Sequence, residues 1–146
     1  MTRTIPNAGD TFLTQRQIEV LSLRERGVTQ KSIASQLGTS VANISTIETS
    51  ARVNISKAEQ TITLSKLLKC NIIFNAQEGT ELWDLVSRIY TMADNGDTKL
   101  AYTEPELVAF LNRGLKHVFN DRKLTASAEI GLTPDGNLII NPTIQD

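Results

Sequence analysis

Glycine and hydroxyl residues divide the first third of the chain into short helices. Thr14 and Gln17 are spaced as a capping box, which predicts the start of a first helix. Gly27 is suited to end that helix, because glycine adopts the left-handed backbone conformation without steric cost. Thr29 can cap a second helix that ends before Gly38. A turn of about three residues then leads to a third helix, so the pattern predicts a helix-turn-helix.

The predicted third helix, residues 40–52, has two walls of different chemistry. Apolar side chains recur along one wall, which we expect to face the core: Val41, Ile44, Ile47 and Ala51. The opposite wall is short and mostly polar, and consists of Ala42, Thr46, Thr49 and Val53, flanked by Asn43, Ser45 and Ser50. A recognition helix needs such a wall, because its backbone enters a major groove about 12 Å wide while hydroxyls and amides meet base edges.

The residue types around this wall match the contacts that DNA recognition needs. Asn43 can form a bidentate pair with adenine, and Thr46 or Thr49 can exchange hydrogen bonds with bases or contact a thymine methyl group. Cations that can serve the phosphates surround the wall: Arg16, Arg24, Arg26, Lys31 and Arg52. The predicted DNA-binding residues are Arg16, Thr29, Gln30, Lys31, Ser40, Ala42, Asn43, Ser45, Thr46, Thr49 and Arg52. The alternative is that the polar residues among them form only a solvated helix face.

The distribution of charge predicts two domains. Residues 1–69 hold nine Lys or Arg and five Asp or Glu, whereas residues 70–146 hold six and eleven. The first part suits a polyanion, because Lys and Arg that neutralise phosphates release condensed counterions. We therefore expect a helix-turn-helix DNA-binding domain over residues 1–69 and an acidic α/β domain over residues 70–146. Chance scatter of charge between two ordinary halves is the alternative.

Two family resemblances support the helix-turn-helix. The motif of LuxR-type regulators and bacterial sigma factors resembles residues 13–45, LTQRQIEVLSLRERGVTQKSIASQLGTSVANIS. The chain departs from that pattern at Thr39, where Ile is usual, and at Ile47, where His is frequent, so base contacts cannot be transferred. The longer stretch VTQKSIASQLGTSVANISTIETSARVNISKAEQTI, followed by an acidic α/β tail, is similar to the archaeal Tfx family of DNA-binding proteins. That resemblance implies a transcriptional regulator.

A fourth helix is predicted after an interruption at residues 54–56. Ser56 and Glu59 are spaced as a capping box, and the helix would run over residues 57–68. This helix can either complete the core of the helix-turn-helix domain or pair with the same helix of a second copy in a homodimer. Dimerisation would place two helix-turn-helix units on half-sites one DNA turn apart and add affinity without new chemistry.

The second half of the chain predicts the order strand, helix, strand, helix, hairpin. The boundaries are a strand at residues 71–76, a helix capped by Thr80 and ended by Gly96, a strand at residues 100–102, a helix opened by Thr103 and Glu106, and a hairpin over residues 124–140 that turns at residues 133–136. We expect the first of these helices to bury Leu82, Leu85, Val86, Ile89 and Ala93, and the second to bury Leu107, Phe110, Leu111, Leu115 and Val118. Two helices on a sheet after a helical domain give an α+β protein.

The composition provides few groups for catalysis or metal binding. The single cysteine, Cys70, excludes an intramolecular disulfide, and the single histidine, His117, weakens schemes that depend on histidine. Both residues, like Trp83, have a structural interpretation. No nucleotide-binding or hydrolase motif is present, and neither a metal nor another cofactor is predicted. The absence of a long apolar run and of a signal-peptide core predicts a cytoplasmic protein.

Together these patterns predict a sequence-specific DNA-binding transcriptional regulator that is not an enzyme. Its acidic domain would be repelled by DNA and would dimerise, bind a small effector or contact the transcription machinery. The sequence leaves two alternatives. One is a protein–protein adaptor whose helix-turn-helix does not bind DNA, and the other is an enzyme whose catalytic residues lie in the second half.

Overall fold

The computed structural model describes residues 5–143 and divides the chain into two compact units. We refer to the part that ends at Thr61 as the helical unit and to the part that begins at Ile62 as the α/β unit. The predicted boundary after Lys69 follows the change in net charge, whereas this division follows the packing of the backbone. Each unit has its own hydrophobic core.

The first two helices begin and end at the residues that the sequence indicated. Helix α1 spans Gln15–Glu25 and α2 spans Gln30–Leu37. The Gln17 amide donates to the Thr14 hydroxyl at 3.1 Å, and the Thr14 amide donates to the Gln17 side chain at 3.0 Å, which confirms the capping box. Gly38 ends α2 with φ at +67°, a conformation that favours glycine.

Helix α3 is one continuous element, Val41–Leu67, so the predicted interruption at residues 54–56 is wrong. Asn54 does not compete for the helix backbone, because its side-chain amide donates to the Phe12 carbonyl oxygen at 3.2 Å. Asn, Ile and Ser cost at most about 0.7 kcal/mol each in a helix interior relative to Ala. A break would instead leave several backbone groups without helical partners.

The core of the helical unit joins all three helices. Val20, Ile33, Ala34 and Ile44 are buried in one cluster, with Ile47 packed against it. Ala51 is buried as predicted, but Val41 is 45% exposed, which contradicts its expected position in the core. Val41 is the first residue of α3 and lies at the very end of the buried stripe, where helical periodicity alone does not ensure burial.

The α/β unit contains a three-stranded antiparallel sheet and two helices. Its elements are β1 Ile72–Ala76, α4 Leu82–Asn95, α5 Glu104–Gly114, β2 Phe119–Asn120, β3 Lys123–Leu124, β4 Ala128–Leu132 and β5 Leu138–Pro142. Strand β4 lies between β1 and β5, while β2 and β3 pair in a small separate hairpin. The described helices and sheets confirm the predicted α+β class.

The core of the α/β unit lies between the sheet and the apolar faces of α4 and α5. All five positions predicted for the face of α4 are buried: Leu82, Leu85, Val86, Ile89 and Ala93. In the second predicted set Leu107, Leu111 and Leu115 are buried, and Phe110 and Val118 are partly buried against the same core. Gly136, with φ at +83°, lies in the hairpin turn, where any side chain would collide with the Lys99 carbonyl oxygen.

Three local predictions for the second half are wrong. Residues 100–102 are not a strand, because the segment crosses the hairpin turn with one backbone bond, from the Ala101 amide to the Gly136 oxygen at 3.0 Å. Glu81, not Thr80, occupies the N-cap of α4, and the Thr80 hydroxyl donates to the Gln77 oxygen at 2.6 Å. Leu124 pairs with Phe119 in the small hairpin and is not part of β4.

Both edges of the main sheet have contacts beyond the strand pairing. On β1, Arg88 donates to the Asn75 carbonyl oxygen at 3.3 Å, and its guanidinium lies 4.2 Å from the centre of the Phe74 ring. On β5, the Leu138 amide donates to the Tyr102 hydroxyl at 3.2 Å, and Pro142, which has no amide hydrogen, ends the strand.

Candidate nucleic-acid interface

The polar wall of α3 is exposed along its whole length. Ala42, Thr46, Thr49 and Val53 are all exposed, while Ile44 on the other side of the helix is fully buried. The Thr46 hydroxyl donates to the Ala42 carbonyl oxygen at 3.0 Å, so its oxygen is left to accept a further hydrogen bond. The wall therefore offers methyl groups, hydroxyl groups and a low profile, which is what contact with base edges requires.

Asn43 lies beside this wall rather than in its centre. Its side-chain amide donates to the Thr39 hydroxyl at 2.8 Å, and its backbone amide donates to the Ser40 hydroxyl at 3.1 Å. Asn43 and Ser40 are exposed, whereas Ser45 is only half-exposed. The amide nitrogen of Asn43 carries two hydrogens, so the bond to Thr39 leaves one donor and the side-chain oxygen for adenine.

The cationic and polar residues predicted to reach phosphates have different partners. Arg16 forms an exposed ion pair with Glu19 at 3.0 Å. The Thr29 hydroxyl caps α2 by accepting from the Ser32 amide at 3.1 Å. Gln30 is half-buried, and Lys31 is exposed in the first turn of the same helix. Exposed pairs such as the one that includes Arg16 are worth about 0–1 kcal/mol, so this residue can exchange Glu19 for a phosphate.

Glu48 is the centre of a hydrogen-bonded cluster that connects the three helices of the helical unit. The residue is 8% exposed. Arg24 from α1 donates its Nε to both carboxylate oxygens, at 2.9 and 3.2 Å, and Gln30 from α2 donates to one of them at 3.2 Å. Arg52, one turn further along α3, donates from Nε and Nη2 to Oε1, each at 3.3 Å. Two of the predicted DNA-binding residues, Gln30 and Arg52, thus share a buried carboxylate.

Sequence reasoning did not identify this role of Glu48. A signal was present, because Glu48 is the only acidic residue between positions 26 and 58, and Arg52 follows it at the i,i+4 spacing of a helical ion pair. The contribution of Arg24 could not be predicted, since it depends on how α1 crosses α3. Arg24 also donates to the Val28 carbonyl oxygen at 3.0 Å, which makes it part of the fold rather than a free phosphate ligand.

The stability of the protein is expected to fall in acid partly through Glu48. Burial alone would raise the pKa of Glu48, but the hydrogen bonds from Gln30, Arg24 and Arg52 and the charge of Arg24 together lower it. A lowered folded-state pKa contributes stability above the unfolded pKa of about 4.3, and that stability is lost as the pH falls through the folded value.

Urea unfolding at a series of pH values tests this prediction with Glu48→Gln. The variant should lose about 1.5 to 3 kcal/mol of unfolding free energy at neutral pH, as for hydrogen bonds to a charged group. Its stability should then change less than that of the wild type below about pH 5. If the free energy of unfolding changed with pH in the same way for both proteins, Glu48 would not contribute to the acid sensitivity of the fold.

No group of three or more His, Cys, Asp or Glu residues within the described range 5–143 could hold a metal ion. In the same range, no helix is long and apolar enough to cross a membrane.

Comparisons with known proteins identify the family to which this chain belongs. Residues 58–140 match the family described as DNA-binding protein, TFX, C-term. The chain is 33% identical over 131 residues to the DNA-binding protein Tfx of Methanothermobacter marburgensis, covering 90% of this chain and 95% of the relative. It is 35% identical over 129 residues to a protein of Methanocaldococcus jannaschii named as a candidate transcriptional regulator, covering 88% and 94%. The chain therefore belongs to the Tfx family of archaeal DNA-binding proteins.

Proposed function

We propose that this protein is a transcriptional regulator that reads duplex DNA with the polar wall of α3. The observation that carries the proposal is the contrast between the two sides of that helix. Ile44 and Ala51 are fully buried, while Ala42, Thr46 and Thr49 are exposed. Small exposed side chains allow the helix backbone to approach the floor of the major groove. The names of the relatives, which describe DNA binding and transcriptional regulation, support the same function and do not favour an adaptor or an enzyme.

The remaining predicted residues would fix the position of the helix on the duplex. Lys31 lies in the first turn of α2, and Thr29 and Gln30 begin that helix. The amino end of a helix attracts phosphate, because its free amides and its dipole carry partial positive charge. Arg16 and Arg52 would contact further phosphates, with Ser40 and Ser45 at the sides of the wall.

For the α/β unit we propose a role in dimerisation, with effector binding or contact with the transcription machinery as further functions. The unit exposes large apolar side chains near the end of α3, where Ile62 is 55% exposed, Leu64 is 56% exposed and Leu68 is 78% exposed. A second copy of the chain that covered them would remove apolar surface from water. Measurement of the mass of the protein in solution would test the homodimer.

A regulator of archaeal genes would act in the cytoplasm, where the chromosome lies.

Threonine-to-alanine substitutions test the assignment of the wall. Thr46→Ala should weaken binding to duplexes selected from a random pool by about 1 to 3 kcal/mol, with little effect on random DNA, because it removes a base contact. Thr61→Ala is a matched control, since the Thr61 hydroxyl makes the same type of bond, to the Lys57 carbonyl oxygen at 2.8 Å, further along α3. Equal losses on selected and random DNA would mean that the wall does not read bases.

A further inference from the structure

We propose that Glu48 is a positioning residue that sets how strongly the protein discriminates between DNA sequences. In this proposal Glu48 holds Arg52 against α3. The Arg52 guanidinium is thereby prevented from contacting the phosphates of random DNA. The inference rests on the proposed function of α3. It extends that function by assigning specificity to a side chain that is buried and cannot itself reach a base.

The contacts of the two arginines indicate which one Glu48 controls. Arg24 is fixed twice, by Glu48 at 2.9 Å and by the Val28 carbonyl oxygen at 3.0 Å, and its side chain is 32% exposed. Within residues 5–143, Arg52 donates only to Oε1 of Glu48, at 3.3 Å, and its side chain is 52% exposed. Loss of the carboxylate would leave Arg24 bound to Val28 but would free Arg52 to move.

The charge of the cluster determines the expected effect on DNA binding. Each free cation that neutralises a phosphate adds about 0.9 to the slope of log affinity against log salt, because it releases condensed counterions. A guanidinium already neutralised by a carboxylate adds less. The carboxylate side chain that holds Arg52 is only 11% exposed, whereas that of Glu19 in the Arg16 pair is 36% exposed, so solvent screens the Arg52 pair less. Held by Glu48, Arg52 contacts a phosphate mainly when α3 is seated in its site. Once Arg52 is released from Glu48, its guanidinium can contact phosphates in DNA of any sequence. This raises the affinity of the protein for random DNA.

The test uses the full-length protein, a random duplex and a duplex selected by the wild type. For Glu48→Gln we expect binding to the random duplex to be roughly three- to tenfold tighter at low salt, with a salt slope steeper by about one. The ratio of selected to random affinity should fall. Glu25→Gln is the charge control, because it removes one carboxylate from an exposed position at the end of α1. The double variant Glu48→Gln/Arg52→Ala should return to the wild-type slope.

Several outcomes would overturn the inference. A folded Glu48→Gln protein with the wild-type slope and affinity ratio would do so, as would an equal change in Glu25→Gln. If Glu48→Gln does not fold, the single variant Arg52→Ala provides the test. This variant should weaken binding to the selected duplex and leave the salt slope on random DNA unchanged. A shallower salt slope on random DNA would contradict the proposal. A wild-type protein that binds no duplex at low salt would overturn the proposed function itself, before any variant is compared.

Discussion

Replacement of Ile44 by alanine is expected to lower the free energy of unfolding of the helical unit by about 2 to 5 kcal/mol. Ile44 is fully buried and forms one cluster with Val20, Ile33 and Ala34. Removal of three carbons there loses transfer free energy and leaves a cavity, because neighbouring side chains relax only partly. Domains of about 60 residues bury relatively little surface and have small stability margins, so a loss of this size should unfold the unit and abolish DNA binding.

Thermal unfolding followed by far-ultraviolet circular dichroism, together with binding to selected DNA, measures this effect. Val41→Ala is the matched control, because Val41 lies three residues earlier on the same helix and is 45% exposed. We expect this control to change stability by less than about 0.5 kcal/mol, as for most surface substitutions. Similar losses for the two variants would mean that the buried stripe of α3 is assigned incorrectly.

Replacement of Lys57 by proline is expected to destabilise the protein by about 3 kcal/mol or more. Lys57 lies inside α3, where proline removes the amide hydrogen bond to the carbonyl of Val53 and its ring clashes with that carbonyl. Had a new helix begun after Ser56, position 57 would be its first residue, where proline is well tolerated. The substitution therefore distinguishes one continuous helix from two.

The control for this experiment is Lys57→Ala, which removes the same charge but keeps the backbone amide. Unfolding in urea gives the free energy for each variant, and circular dichroism reports the loss of helix. If the proline variant were as stable as the alanine variant, a break in α3 at residues 54–56 would be the better description.

The sequence predicted most accurately those elements whose signals are local. The caps at Thr14 and Thr29 and the glycines at positions 27 and 38 determine where α1 and α2 begin and end, because they act within one helical turn. The hairpin of β4 and β5 was predicted for the same reason, since alternating apolar residues flank a turn that contains Gly136.

The failures concern signals that depend on distant partners. Asn54 and Ser56 were interpreted as a helix boundary, yet Asn54 bonds to Phe12, 42 positions earlier in the chain. The predicted strand at residues 100–102 contains only three residues. The spacing of apolar residues over so short a segment cannot distinguish a strand from a loop. The Tyr102 ring instead packs against Phe110 at a tilt of 38°, with ring centres 5.1 Å apart, and its hydroxyl accepts from the Leu138 amide.

The candidate interface was predicted in part. The exposed wall of α3 follows from helical periodicity, because one buried stripe determines the opposite side. The environment of Arg52 could not be derived in this way. It depends on a carboxylate shared with Arg24 and Gln30, residues that lie on two other helices.

The contacts at the two sheet edges affect how copies of the protein can associate. Exposed strand edges template extended pairing between chains, which leads to aggregation and to shared intermolecular sheets. Arg88 occupies the Asn75 carbonyl on one edge, while Tyr102 and Pro142 protect the other. Pairing of these strands with those of another copy is therefore disfavoured at both edges.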